Sequence, residues 1–293
     1  MANIKELKKR IKSTKGTYKI TSAMKLVSAA KLSRAQQRIL SLKPYSHELM
    51  ETLKTVSAVT NDYEHEFFKS DPENKHAHLL IISSDKGLCG GYNGQLYKKA
   101  KKFLIENEDK EIKVHFIGKK VKELIEINEN NVNFGTHYEF EKVEPTHDEI
   151  LDIADELSAS FETGEVGSVH ILYNSFESAM SCFATTSQVL PFSMPEEDKE
   201  KIKDEFPFDF KYAPSAEEIL DTMIPEVYAN SIYTAVLDAI ASEHGMRMVA
   251  MDNASKNCND VIKKLTLKMN KLRQAAITTE LIEVVSGAES LNG

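Results

Sequence analysis

A chain of 293 residues with 41% hydrophobic and 28% charged side chains has the make-up of a soluble, folded protein, long enough for one large domain or two ordinary ones. No apolar run approaches the ~20 residues that cross a bilayer, so membrane association is expected only through partners. Cys89, Cys182 and Cys258 are widely spaced and form no CxxC, which fits a reducing compartment and not a disulfide framework.

The net charge of -8 conceals a division along the chain. Residues 1–43 hold twelve Lys or Arg against the single acid Glu6, a local +11 that leaves -19 for the remainder. A basic arm on an acidic body points to an anionic partner (nucleic acid, anionic lipid or an acidic protein surface) or to a solvated basic face. The arm is amphipathic and poor in acids, as a transit peptide is, but it is Lys-rich and its helical pattern runs past residue 40, so it reads as mature structure.

From Asn3 to about Val59 apolar residues recur at three- and four-residue steps: Ile4, Leu7, Ile11, Tyr18, then Ile39, Leu42, Leu49, Leu53 and Val56. This predicts a helix with a narrow apolar stripe. Small residues between them (Ala23, Ser28, Ala29, Ala30, Ser33, Ala35) would let another helix approach closely, and Pro44 is a candidate kink. Residues 77–193 alternate short β-rich runs, His78–Ser84, Val114–Gly118 and Val169–Tyr173, with helical stretches near 93–107, 119–127 and 147–161. That pattern predicts a mostly parallel, covered sheet. Residues 194–213 read as a returning loop.

Ser215 and Glu218 then form a capping-box signature. From Met248 a 3-4 alternation runs unbroken through Met251, Ser255, Cys258, Ile262, Leu265, Met269, Leu272, Ala276 and Thr279, which is the coiled-coil template. Pro225 and Gly245 leave the continuity of the stretch before it open. The expected architecture is α/β: a long antiparallel coiled coil of N- and C-terminal helices (1–59 and 214–290) with an inserted Rossmann-like α/β domain (77–193). At ~1.5 Å per residue the helices could reach roughly 80 and 100 Å.

Candidate chemistry is sparse. The loop Ser84-Asp85-Lys86-Gly87-Leu88-Cys89-Gly90-Gly91-Tyr92-Asn93 lies between strand and helix, where a phosphate loop would sit. It lacks the Lys and Ser/Thr after the glycines, and GxGxxG is absent, so it reads as a tight turn and no cofactor is expected. Cys89 could be an activated thiol at a helix start, yet no histidine is designated as its base. His76 and His78 read as ordinary polar residues, and no metal motif is present. Arg273, Gln274, Thr278 and Glu280 fall off the C-terminal seam. They are free to meet carboxylates or backbone of a partner, or simply to face solvent. On residues alone, an α/β enzyme with a helical stalk and a nucleic-acid-binding coiled coil both remain open.

The segments KITSAMKLVSAAKLSRAQ near the start, SDKGLCGGYN in the middle and RMVAMDNASKN…LTLKMNKLRQAAITTELIEVVSGA near the end resemble the γ subunits of bacterial F-type ATP synthases. The resemblance covers essentially the whole chain, with residues 60–76 and 105–165 carrying little of it. It implies a non-catalytic central shaft turned by proton flow. The implied partners are a hexamer of alpha and beta subunits, the epsilon subunit and the membrane c-ring, with no nucleic acid, on the cytoplasmic side of the inner membrane. By match to the family pattern, Arg273 and Gln274 would hydrogen-bond a beta-subunit loop, and Thr278, Glu280 and Arg247 would serve coupling. Met24 and Lys25 would face beta, and Cys89 would lie near its acidic lever. Met24→Lys is then expected to weaken proton pumping while ATP hydrolysis continues.

Overall fold

The computed structural model describes residues 2–60, 65–140, 145–179, 181–192 and 211–292. In chain order these form helix α1 (Ala2–Val59), a short 3-10 turn (Glu66–Phe68), strand β1 (His76–Ile82), α2 (Tyr92–Glu106), β2 (Glu111–Ile117), α3 (Lys120–Asn128), β3 (Asn133–Tyr138), α4 (His147–Glu162), β4 (Ser168–Ser178), β5 (Ser181–Leu190) and α5 (Ala216–Asn292). They divide into two compact units, a helical one of Met1–Ala29 with Arg247–Gly293 and an α/β one of Ala30–Met246.

The α/β unit is organised by a five-stranded sheet in the order β3-β2-β1-β4-β5. The pairs β1–β2, β1–β4 and β2–β3 are parallel, and β5 runs antiparallel to β4. Side chains alternate across β1 as the pleat requires. Ala77, Leu79 and Ile81 pack on one face with Tyr92, Leu96 and Ala100 of α2 and with Val121 and Ile125 of α3. Leu80 and Ile82 pack on the other, with Ile150, Ile153 and Leu157 of α4, Leu53 and Val56 of α1, and Leu220, Ile224, Tyr228 and Ile232 of α5. Both faces are covered, as a largely parallel sheet demands.

The sheet has two strands more than the sequence suggests. Strand β3 (NFGTHY) and strand β5 (SCFATTSQVL) lie at its edges. Their side chains are largely half-buried or exposed, so neither carries an apolar run to announce it. The expected loop 194–213 lies outside the described residues up to Phe210.

Neither proline nor Gly245 breaks a helix. Pro44 and Pro225 both sit inside continuous helices with their side chains exposed. Around Pro225 the burial of Leu220, Ile224, Val227 and Tyr228 against the sheet outweighs one missing backbone donor. Gly245 has a packing reason: a Cβ there would stand 3.2 Å from the Cα of Ala179 at the β4–β5 hairpin. At the start of α5 the amide of Glu218 donates to Ser215 Oγ at 3.2 Å, half of the expected capping box. A complete box, Thr146 with Glu149, opens α4.

In the helical unit the two segments run antiparallel, since Thr21 meets Ser255 and Lys25 meets Asp252. The C-terminal seam is as expected: Met251 and Ser255 are buried, Met248, Cys258, Ile262, Leu265, Met269, Leu272 and Ala276 half-buried, and only Thr279 exposed. On α1 the stripe differs. Leu7 and Ile11 are buried, but Tyr18 is 41% exposed, and the positions turned inward after it are the polar Thr21 and Ser28. Ala23 is exposed.

Candidate functional site

Seven of the eight candidate residues belong to the helical unit and one, Cys89, to the α/β unit. Arg273, Gln274, Thr278 and Glu280 are all exposed, beside the half-buried seam positions Leu272 and Ala276. The Thr278 hydroxyl donates to the Gln274 carbonyl at 3.0 Å, so it turns back on its own helix and offers its lone pairs outward. Arg247 is placed differently, being only 9% exposed. From Ile277 to Ala288 every position is exposed, including the large apolar Ile277, Leu281, Ile282, Val284 and Val285.

Met24 is half-buried. Lys25 has a partner inside the chain: its ammonium donates to Asp252 Oδ1 at 2.6 Å, and Lys256 approaches the other oxygen of that carboxylate at 2.7 Å. These two ammonium groups hold the Asp252 carboxyl below its ordinary pKa. One turn away, the Thr21 and Ser255 hydroxyls lie 2.7 Å apart, both residues buried. The sequence held a signal for this polar layer, because the heptad phase of Ile4, Leu7 and Ile11 passes through Thr14, Tyr18, Thr21, Lys25 and Ser28. An apolar count picks up Tyr18 and skips the other four.

In the α/β unit, Cys89 is 2% exposed. The groups within hydrogen-bonding reach of its Sγ are the Asn93 amide at 3.3 Å, the Ser84 hydroxyl at 3.8 Å and the Lys86 carbonyl at 3.9 Å. These would hold a thiol in place; none is a base that would ionise it. The loop around it is stapled by Asn93, whose Nδ2 donates to Ser84 Oγ at 2.8 Å. Gly90 takes a φ of +62°, as a glycine can, but Leu88 takes +63° while its side chain stays 65% exposed. This loop leaves β1, the strand from which the sheet order departs in both directions, where ligands of doubly wound sheets bind. Here Tyr92 is fully buried at that position, and its hydroxyl donates to the Ala239 carbonyl of α5 at 3.2 Å.

A second polar cluster went unread in the sequence. His78 and His115, on neighbouring strands, are both buried with ring centroids 4.7 Å apart. The Thr136 amide donates to His115 Nδ1 at 3.1 Å, which assigns the ring proton to Nε2. Burial lowers the pKa of His78 to about 4 and that of His115 to about 3, so both rings are neutral at neutral pH. His76, by contrast, is exposed beside Glu111.

The ATP synthase family profile matches residues 3–291. The ATP synthase gamma chain of Geotalea daltonii is 40% identical over 296 residues, covering 100% of both chains. That of Geobacter metallireducens is 40% identical over 299 residues, again with 100% of both covered. Among solved structures, a chain of the Euglena gracilis mitochondrial ATP synthase OSCP/F1/c-ring assembly aligns with a TM-score of 0.65 at 17% identity, covering 99% of this chain and 95% of that one. A chain of the Tetrahymena thermophila mitochondrial ATP synthase central stalk and c-ring aligns with a TM-score of 0.59 at 24% identity, covering 80% and 99%. At those identities the structural likeness speaks for the fold.

Proposed function

The chain belongs to the ATP synthase gamma-chain family, and from that premise we propose that it is the central rotor shaft of a proton-translocating F-type ATP synthase. It is a subunit of a multisubunit, membrane-bound enzyme with no active site of its own. The single observation that carries this reading is 40% identity to gamma chains over the full length of both partners.

The physics of the helical unit supports it. A non-catalytic shaft acts by presenting different side chains to catalytic subunits that each have more than one stable state, so that contact energy shifts nucleotide affinity. Residues 1–29 and 247–293 carry fifteen Lys or Arg against six Asp or Glu. Arg273, Gln274 and Glu280 are exposed there, suited to hydrogen bonds with a beta-subunit loop. The exposed apolar residues near the C-terminus want a surrounding wall. Partners are then the alpha–beta hexamer, the epsilon subunit and the c-ring, and the chain sits on the cytoplasmic side of the inner membrane through them. No helix among the described residues is long and apolar enough to cross a membrane.

The nucleotide-enzyme alternative loses support at the end of β1, where Tyr92 and α5 meet. The test is reconstitution of alpha, beta, epsilon and membrane sector with and without this chain. ATP-driven proton pumping is expected only with it. Pumping without the chain, or ATP turnover by the isolated chain, overturns the reading.

A further inference from the structure

Between Ile20 and Ser28 of α1 the residues best suited to burial are not the ones turned inward. Ile20 and Val27 are 63% and 58% exposed, and with Met24 between them they form a stripe at i, i+4 and i+7. The adjacent Thr21 and Ser28 are buried instead. One residue's rotation about the helix axis, about 100°, would exchange Thr21 and Ser28 for Ile20 and Val27. The hydrophobic effect alone favours that exchange. Two polar contacts oppose it: the buried Thr21–Ser255 hydroxyl pair at 2.7 Å, and the Lys25–Asp252 ion pair at 2.6 Å, reinforced by Lys256. Rolling the helix would leave the Ser255 hydroxyl buried against hydrocarbon and the Asp252 carboxylate without Lys25. A single polar layer in an apolar seam can fix helix phase in this way.

We propose that Thr21, Lys25, Asp252 and Ser255 form a polar lock that sets which face of α1 meets α5, and so holds the Ile20–Met24–Val27 stripe outward for the catalytic subunits. Lys25 is thereby a positioning residue acting through Asp252, not a contact residue acting on the partner. The proposal rests on the shaft reading for its consequence, though the lock itself is a property of this chain.

The first experiment uses the reconstituted complex and measures protons pumped per ATP hydrolysed. Lys25→Glu and Asp252→Lys are each expected to lower the ratio at least threefold, and the double charge swap to restore it to within twofold of the natural chain. A swap that fails to restore the ratio, or single variants without effect, overturns the lock. The second uses the full-length chain alone, carrying Ile20→Cys in a Cys258→Ser background, labelled with a water-soluble maleimide. Adding Asp252→Ala and Ser255→Ala, which removes both cross-helix partners while Thr21 and Lys25 stay polar, is expected to slow labelling at least threefold, as the stripe rolls inward. An equal rate overturns the proposal. If the natural chain itself fails to support pumping, the shaft reading falls, while the labelling result still decides the lock.

Discussion

In the α/β unit, α5 is buried or half-buried at every position from Glu226 to Ala241, whereas from Ile277 to Ala288, in the helical unit, every position is exposed. The charge divides the same way: fifteen basic against six acidic residues in the helical unit leave a net -17 for the other. One unit carries its own core on both faces of a sheet. The other buries a single seam and exposes apolar side chains that a free-standing domain would cover. The comparison teaches which part is folded by its own contacts and which part is shaped for others. It is broken most directly by equal truncations. Leu157→Ala, at a fully buried position of α4, is expected to cost about 3–5 kcal/mol, the upper range for a core leucine. Leu265→Ala, at a half-buried seam position, is expected to cost about 1–2 kcal/mol. Urea unfolding of the full chain, read by circular dichroism, checks both; similar losses would erase the distinction.

A second test concerns how tightly the α/β unit is built. Gly118 has a φ of +84°, and a Cβ there would lie 2.2 Å from the Ser83 carbonyl oxygen. Gly118→Ala must therefore adopt left-handed backbone and displace the end of β1. The expected loss is about 2–4 kcal/mol, from the backbone penalty plus overpacking. Gly287 is the contrast, since no atom outside its own helix lies within 4 Å of a Cβ there. Gly287→Ala should stabilise the helix by up to about 1 kcal/mol. Paired thermal melts of the two variants decide the matter.

Acid should also separate the units. The folded-state pKa values of His78 and His115, about 4 and about 3, lie below the ordinary 6.5 because burial penalises the imidazolium. The folded protein then binds fewer protons than the unfolded chain below pH 6.5. Their contribution is intact above that pH, declines as pH falls, and levels off below about 3. Asp238 acts in the opposite sense: burial raises its carboxyl from 3.8 to about 6, so the folded state is disfavoured at neutral pH and relieved as pH falls through 6 toward 3.8. Burial lowers His170 to about 4 as well, so three histidines outweigh one aspartate, with a net loss of about 4 kcal/mol between pH 7 and pH 5. Asp238→Asn removes the opposing group and should make the acid loss steeper. A urea midpoint that rises on acidification would reverse the ranking.

These cases show why parts of the molecule were legible in the sequence and parts were not. The C-terminal seam could be read because Met251 through Ala276 repeat one spacing with apolar or small side chains, and periodicity survives any tertiary context. The seam of α1 kept the same spacing but placed Thr21, Lys25 and Ser28 in it, so the apolar signal vanished where the polar contacts begin. Strands β3 and β5 were missed because edge strands need not be apolar. Gly245 and Pro225 left the helix's continuity open because local propensity counts against both, yet contacts with Ala179 and the buried residues around Ile224 override it. Spacing put the candidate residues near the C-terminus off the seam, but only family likeness gave them a partner, since an exposed Arg273 or Gln274 reads equally as a solvated face. The pairing of His78 with His115 depends on strand order, which a single sequence does not encode locally.

The smallest expected effect is the most informative about partners. Leu88 holds a φ of +63° with its side chain 65% exposed, so it adds strain and buries little. A glycine would relieve about 1–2 kcal/mol of left-handed penalty and give back about 0.5–1 kcal/mol in chain entropy. Leu88→Gly should therefore change the stability of the isolated chain by about 1 kcal/mol or less, in the favourable direction. Strain that a one-residue change would remove persists where something outside the folding free energy keeps it. If the loop that carries Cys89 meets a catalytic subunit, the same variant should reduce proton pumping per ATP in the reconstituted complex even as the chain becomes no less stable. Unchanged pumping would mean that Leu88 serves only the turn, and would move the contact of the α/β unit with its partners elsewhere.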